Sequence, residues 1–232
     1  MAELTVYSSI GVRSAAEELF RKFEKHSGTR LALSWGTAPM IVARIEAGER
    51  ADVLILSRAG IDSLIKQGKV LSGSDITLAG SGVAIAVKQG APKPDISTPE
   101  ALKETLLRAK SIAYSEPSAG GASGVYFAKL LERMGIAEQM KPKTKYPPAG
   151  GFSAELLLTG DAELAVQQKP ELLHVPGVEI VGFLPGELNL VTEFAAAIMA
   201  GSKNVEMGKA LIDSLREPEA AAVFREKGLD PR

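Results

Sequence analysis

The sequence predicts an α/β fold in two lobes, each a mixed, mostly parallel sheet flanked by helices, with the chain crossing twice between them. Three observations lead there. A length of 232 residues suits two cores of roughly 100 residues each better than one. Apolar strand-like runs alternate with helix-period runs, which implies parallel strands covered on both faces. The C-terminal strand and its two amphipathic helices cannot bury their apolar faces alone. They are therefore assigned to the first lobe, residues 1–87 plus 190–232, which leaves 88–189 as the second.

The elements follow in order. Leu4 to Tyr7 reads as a strand ended by Ser8-Ser9-Ile10-Gly11. From Arg13 to Lys25, Ala16, Leu19, Phe20 and Phe23 recur at helical spacing, and Gly28 is placed to stop the helix. Leu31 to Trp35 alternates as a strand and breaks at Gly36-Thr37-Ala38-Pro39, where Pro39 suits a first helical turn. That helix carries Ile41, Val42 and Ile45 to Gly48. Asp52 to Leu56 is a buried strand, and Ile61 to Gln67 a helix closed by Gly68.

In the second lobe Val83 to Val87 is a strand, and Thr98-Pro99 caps and opens a helix. Ser111 to Tyr114 is a strand running into a small-residue loop, Ser115 to Ser123. A helix then runs from about Gly124 through Met134 to Gly135. Gly150-Gly151-Phe152-Ser153 precedes a helix over Ala154 to Leu158. Strands follow at Glu163–Val166, Val178–Val181 and Phe194–Met199, then helices at Val205–Leu215 and Pro218–Lys227. Lys141, Lys143 and Lys145 read as the solvated face of a strand.

Composition narrows the function. Apolar residues make up 45% and charged residues 24%, with a net charge of −1, so no basic stripe invites nucleic acid. The longest apolar runs are too short to span a bilayer. With no cysteine there is neither a disulfide framework nor a thiolate metal site. His26 and His174 are read as surface residues, and nothing in the pattern requires a metal or cofactor. Met1-Ala2-Glu3 leads directly into the first strand. The expected compartment is periplasmic if a signal peptide has been removed, and cytoplasmic otherwise.

Chemistry is expected at the strand-to-helix turns. Four deliver small polar residues to a helix start: Ser8-Ser9-Ile10-Gly11, Gly36-Thr37-Ala38, Ser118 to Gly124, and Gly150 to Ser153. In open α/β sheets such turns lie at the carboxyl ends of strands, where ligands bind, and free N–H groups there favour anions. Many such turns bind nothing and serve only as caps. The glycines at 120, 121, 150 and 151 suit a backbone that a ligand approaches closely. No hydrolase triad, phosphate loop or dinucleotide fingerprint is present; Gly121-Ala122-Ser123-Gly124 misses the nucleophile-elbow spacing. Tyr7 and Trp35 suit either a cleft wall or the core.

Several stretches together carry a resemblance: Leu4-Thr5-Val6-Tyr7-Ser8-Ser9, Ala43-Arg44-Ile45-Glu46-Ala47-Gly48, Ala51-Asp52-Val53-Leu54-Ile55, Ser123-Gly124-Val125-Tyr126-Phe127-Ala128-Lys129, and Pro218-Glu219-Ala220-Ala221 with Phe224. Their order resembles the molybdate-binding proteins of ABC importers, with the type II periplasmic-binding-protein fold, over essentially the whole chain. The family's first anion-binding serine falls on Gly11, beside Ser8 and Ser9. Its serine cluster falls on Gly36 and Thr37, its backbone-amide donors on Ser123 and near Phe152, and its binding tyrosine on Gln167 or Gln168. Ala162 to Gln168, Val175 to Gly182 and Leu184-Pro185 look like a side branch of the family that is similar to aconitate isomerase.

The resemblance implies a monomeric solute-binding protein that closes about a hinge on a small anion and is read by an ABC permease. It implies a ligand set of Ser8, Ser9, Gly11, Gly36, Thr37, Ser123, Gly124, Gly151, Phe152 and Gln167. Glutamine amides and a glycine-lined site suit a carboxylate better than a compact oxyanion such as molybdate. The alternative is an isomerase of an unsaturated tricarboxylate, with Glu116, Tyr114, Tyr126 and Tyr146 as proton-moving candidates and Arg13 as a carboxylate clamp. A regulator's effector domain is a third class, disfavoured because no helix-turn-helix precedes Leu4.

Overall fold

The computed structural model describes residues 3–148 and 151–232. The chain divides into two compact α/β units. Residues up to Gly80, together with Thr192–Arg232, form the first, and Ser81–Val191 form the second.

In the first unit β1 (Glu3–Ser9) pairs in parallel with β2 (Arg30–Gly36) and with β3 (Val53–Ser57). β9 (Val191–Ile198) runs antiparallel to β3 and neighbours β4 (Ile76–Lys88), whose Ala79 and Gly80 pair with β10 (Asp230–Pro231). Strand alternation sorts the side chains onto two faces. Leu4, Val6, Val53 and Ile55 join α1 (Arg13–Ser27), α9 (Val205–Ser214) and α10 (Pro218–Glu226) in one core. Tyr7, Leu54 and Leu56 join α2 (Ala38–Glu46) and α3 (Arg58–Lys66) in the other.

In the second unit the later part of β4 runs antiparallel to β7 (Leu164–Gln168) and β8 (Val178–Phe183). β7 is parallel to β5 (Ile112–Tyr114), and β5 to β6 (Thr144–Lys145). One face packs large residues, Val83, Ile85, Ile112 and Val166, against α4 (Pro99–Arg108), α5 (Ala122–Arg133) and α6 (Ala137–Met140). The other face is built of alanines, Ala84, Ala86, Ala113 and Ala165, against α7 (Glu155–Thr159) and α8 (Lys169–Leu173). Small side chains on that face let two short helices pack closely on the sheet. Among the described residues no helix is long and apolar enough to cross a membrane.

Two expectations change. β4 spans 13 residues, where the sequence predicts a strand only at Val83–Val87. The added length runs through Gly80-Ser81-Gly82, where Gly82 is needed because a Cβ would lie 2.8 Å from the Asn189 side chain. Asn189 Oδ1 accepts the Val83 N–H at 3.0 Å, which holds the strand together at that point. Lys141 to Lys143 form a 3-10 turn and not a strand; only Thr144 and Lys145 are extended. The Pro142 ring fixes a helical φ there, and Lys143 Nζ folds back to the Leu107 carbonyl.

Candidate functional site

In the first unit β1 ends on Ser8 and Ser9, both buried. Ser9 caps the 3-10 turn Ile10–Val12, its Oγ accepting the Gly11 N–H at 3.3 Å. Ser8 Oγ donates to the Ser9 carbonyl at 3.5 Å. Gly11 is buried against Phe194: a Cβ would come within 2.5 Å of the ring, so the glycine has a packing reason of its own. Gly36 ends β2, and Thr37 caps α2, its side chain accepting the Met40 N–H. Replacing Thr37 with Ala is expected to cost about 1 kcal/mol, read as a lower urea midpoint, while Thr37→Ser is near neutral.

Near these turns Tyr7 donates to Glu49 Oε2 at 2.8 Å, and Arg44 lies over its ring at 4.4 Å while chelating Glu49. Burial and the Glu49 bond push the Tyr7 phenol up. Tyr7 is thus a core residue with a satisfied hydroxyl. Trp35 stacks on Phe20, and Arg13 is held by Glu17 at 2.7 Å and lies over the Trp35 ring.

In the second unit a 3-10 turn, Pro117–Ala119, leads through Gly120 and Gly121 into α5. Ser123 and Gly124 are buried in its first turn. A Cβ on Gly124 would collide with the Ser115 carbonyl oxygen, whereas one on Gly121 would meet nothing nearer than 3.7 Å. Of the proton-moving candidates, Tyr126 donates to the Leu188 carbonyl at 3.0 Å, and Tyr114 and Tyr146 place their hydroxyls 3.3 Å apart. Burial pushes the Tyr114 phenol up. Glu116 precedes the 3-10 turn as its cap residue.

A third group forms where β7 ends. Gln167 is fully buried. Its Oε1 accepts two bonds from Ser153, from the N–H at 2.8 Å and from Oγ at 2.9 Å. With its oxygen engaged in this way, the amide nitrogen is fixed in direction, and Nε2 is buried without a hydrogen-bond partner. Beside Ser153, Phe152 packs on His174 with ring centroids 4.6 Å apart; Gly151 is half-buried, and Gly150 lies outside the described residues.

Glu171, 6% exposed, joins this group. Gln168 and Glu171 form a reciprocal capping box on α8, with the Gln168 N–H donating to Glu171 Oε2 at 3.1 Å. Burial pushes the Glu171 carboxyl up to about 7, opposed by the Gln168 N–H and by the adjacent Gln167 amide. Sequence reasoning placed Ser153 in a candidate turn but not in the ligand set, and it missed Glu171. The Gln168-x-x-Glu171 spacing with Pro170 was the available signal for a capped helix.

The turns singled out in the sequence thus form separate groups within each unit: Ser8, Ser9 and Gly11; Gly36 and Thr37; Ser123 and Gly124; Phe152 and Gln167. All offer backbone or uncharged donors, a chemistry suited to an anion.

Comparison with known proteins gives three findings. Residues 4–230 match the family model for bacterial extracellular solute-binding proteins. The chain is 37% identical over 234 residues to an aconitate isomerase from a Pseudomonas species, covering 98% of this chain and 87% of that one. Two solved structures share the fold. The periplasmic molybdate-binding protein of Azotobacter vinelandii superposes with a TM-score of 0.78 at 20% identity, over 97% of this chain and 98% of the other. The sulfate-binding protein SubI of Mycobacterium tuberculosis gives 0.76 at 18%, over 100% and 87%.

Proposed function

The chain belongs to the bacterial extracellular solute-binding protein family, and from that premise we propose that its solute is a small carboxylate-bearing anion. Each unit contributes donors: Ser8, Ser9, Gly11, Gly36 and Thr37 from the first, Ser123, Gly124, Gly151, Phe152 and Gln167 from the second. The observation that carries the carboxylate reading is the 37% identity, over nearly the whole chain, to a protein named for a tricarboxylate. The donor set agrees with it. Gln167 offers a fixed, planar amide donor, and Ser9 and Thr37 accept capping N–H groups at their hydroxyl oxygens. The protein works outside the cytoplasmic membrane as a monomer, closes about a hinge on its ligand, and delivers the solute to an ABC permease.

A second reading is favoured by the same relative's name: an isomerase of an unsaturated tricarboxylate. Such a reaction moves one proton from a carbon beside a carboxylate to another carbon as the double bond shifts, with no net change in atoms.

A thermal-shift panel tests the first reading. Citrate, tricarballylate and both aconitate isomers are expected to stabilise the protein, by about 2.7 kcal/mol at a hundredfold excess over Kd. Stabilisation by molybdate and tungstate alone would overturn it. Proton NMR of each aconitate isomer with the protein separates the readings: interconversion establishes the enzyme, and an unchanged spectrum the carrier.

A further inference from the structure

The second unit holds a cavity of about 690 Å³, a size that suits a small organic molecule. It opens between α4, the connector from β4 to α4, and the start of β7. Its apolar lining includes Val87, Ala109, Leu157 and Leu164, all of them buried. Leu164 begins β7, and Gln167 lies three residues further along it, about 10 Å at the rise of a strand. The cavity and the donors Ser153 and Gln167 thus sit at opposite ends of that strand. Among the described residues, none of the proposed solute contacts lines the cavity.

Charge narrows what such a space can hold. Three carboxylates line it, Asp95, Glu104 and Glu163, against two cations, Lys88 and Arg108. Arg108 is paired with Glu104 at 2.9 Å. Glu163 accepts the Lys110 N–H at 2.8 Å and faces Lys110 Nζ at 3.7 Å. Lys88 donates to the Leu158 carbonyl. Asp95 has no ion pair among the described residues; its Oδ1 accepts the Ser97 N–H at 2.9 Å. Hydrogen bonds from Ser97, the side chain first and the N–H second, hold the Asp95 carboxyl below the usual carboxylate range, so it stays charged. The Asp95 carbonyl in turn accepts the Thr105 hydroxyl at 2.7 Å, which ties this wall of the cavity to α4.

We propose that this cavity is a second binding site, for a small organic cation with an apolar body. Its carbon body fills the space against Val87, Leu157 and Leu164, where burial drives binding, and its ammonium group meets Asp95. An anion entering the same space would face three carboxylates, with Lys88 the one lining cation that has no carboxylate partner among the described residues. The cation finds a wall already in place: Ser97 and Thr105 hold Asp95 and its backbone before any ligand arrives, and a preformed contact loses less to ordering on binding. The site shares no residue with the proposed solute contacts and selects the opposite charge, so it stands independently of the carboxylate reading.

Titration of the whole protein with phenethylammonium and with hydrocinnamate, followed by amide NMR shifts, tests it. The two probes share a phenylethyl body and carry heads of opposite charge. The wild type is expected to bind the ammonium about tenfold more tightly than the carboxylate, with shifts at Ala101, Thr105 and Leu164. Asp95→Asn, which keeps an acceptor for the Ser97 N–H and loses the charge, is expected to narrow that preference to less than about threefold. Equal affinities in the wild type, no shift with either probe, or shifts at Ser153 and Gln167 in place of the cavity residues overturn the second site. A preference that survives undiminished in Asp95→Asn overturns it too. The wild-type comparison decides the matter even if the variant does not fold, and the carboxylate reading is tested separately by citrate and the aconitates.

Discussion

Gly124→Ala is expected to destabilise the protein by about 3 kcal/mol, although Ala is the better helix former by about 1 kcal/mol. The sign is set by what a Cβ would meet. At position 124 it runs into the Ser115 backbone carbonyl, which has no rotamer to escape into, so the start of α5 must shift away from β5. Three residues earlier the same substitution meets only the Ser115 Cβ at an ordinary 3.7 Å. Gly121→Ala therefore costs less than about 1 kcal/mol, from the poorer helix cap alone. Urea unfolding of the two variants measures the difference. Equal midpoints would mean that the α5 start yields freely, and Ser123 would then not be rigidly held. Because Ser123 and Gly124 share the first turn of α5, Gly124→Ala is also expected to weaken binding of any ligand that the thermal-shift panel identifies.

Glu171→Gln is expected to have its largest effect on stability in alkaline solution. The Glu171 carboxyl is raised from 4.5 to about 7 in the folded state, so between those values the folded protein holds a proton that the unfolded chain has released. The unfolded state then binds fewer protons, and stability falls as pH rises. The loss begins near the unfolded value, is complete above the folded one, and amounts to about 3 kcal/mol. Glu171→Gln carries no charge and escapes this loss. Its stability relative to the wild type should rise with pH across that window and level off above it. Chemical denaturation at several pH values between about 4.5 and 8.5 reads this directly. Parallel wild-type and variant curves would show that Glu171 ionises in the folded protein as freely as in the unfolded chain. The measurement bears on the burial of Glu171 alone.

Much of the architecture was legible in the sequence because it is written in local periodicity. The 3.6-residue recurrence of Ala16, Leu19, Phe20 and Phe23 gave α1, and Thr37, Thr98 and the prolines after them marked where α2 and α4 start. Ser8, Ser9, Thr37 and Ser123 announced themselves as strand-end or helix-start residues, and they occupy those places. Such signals are short-range: a cap and the N–H it binds lie within a few residues of each other, so a linear reading contains both partners.

What only the tertiary structure decided depends on contacts between distant residues. The sequence predicts β4 only at Val83–Val87, whereas the strand begins at Ile76 and is braced at Val83 by Asn189, 106 residues away. Gly11 and Gly124 belong to the ligand set that the resemblance implies, and the structure adds the Phe194 ring and the Ser115 carbonyl as occupants of the space a Cβ would need. Gln167 reads as one of two candidate glutamines; the lock from Ser153, fourteen residues earlier, gives it a fixed direction and an orphaned nitrogen. Glu171 is a glutamate like any other in the sequence, because burial belongs to the packed α8 and β7, not to the residue type. Periodicity and capping thus determined where the elements lie. Packing decided which donors are left over, since a buried group's unsatisfied bonds depend on every element that covers it.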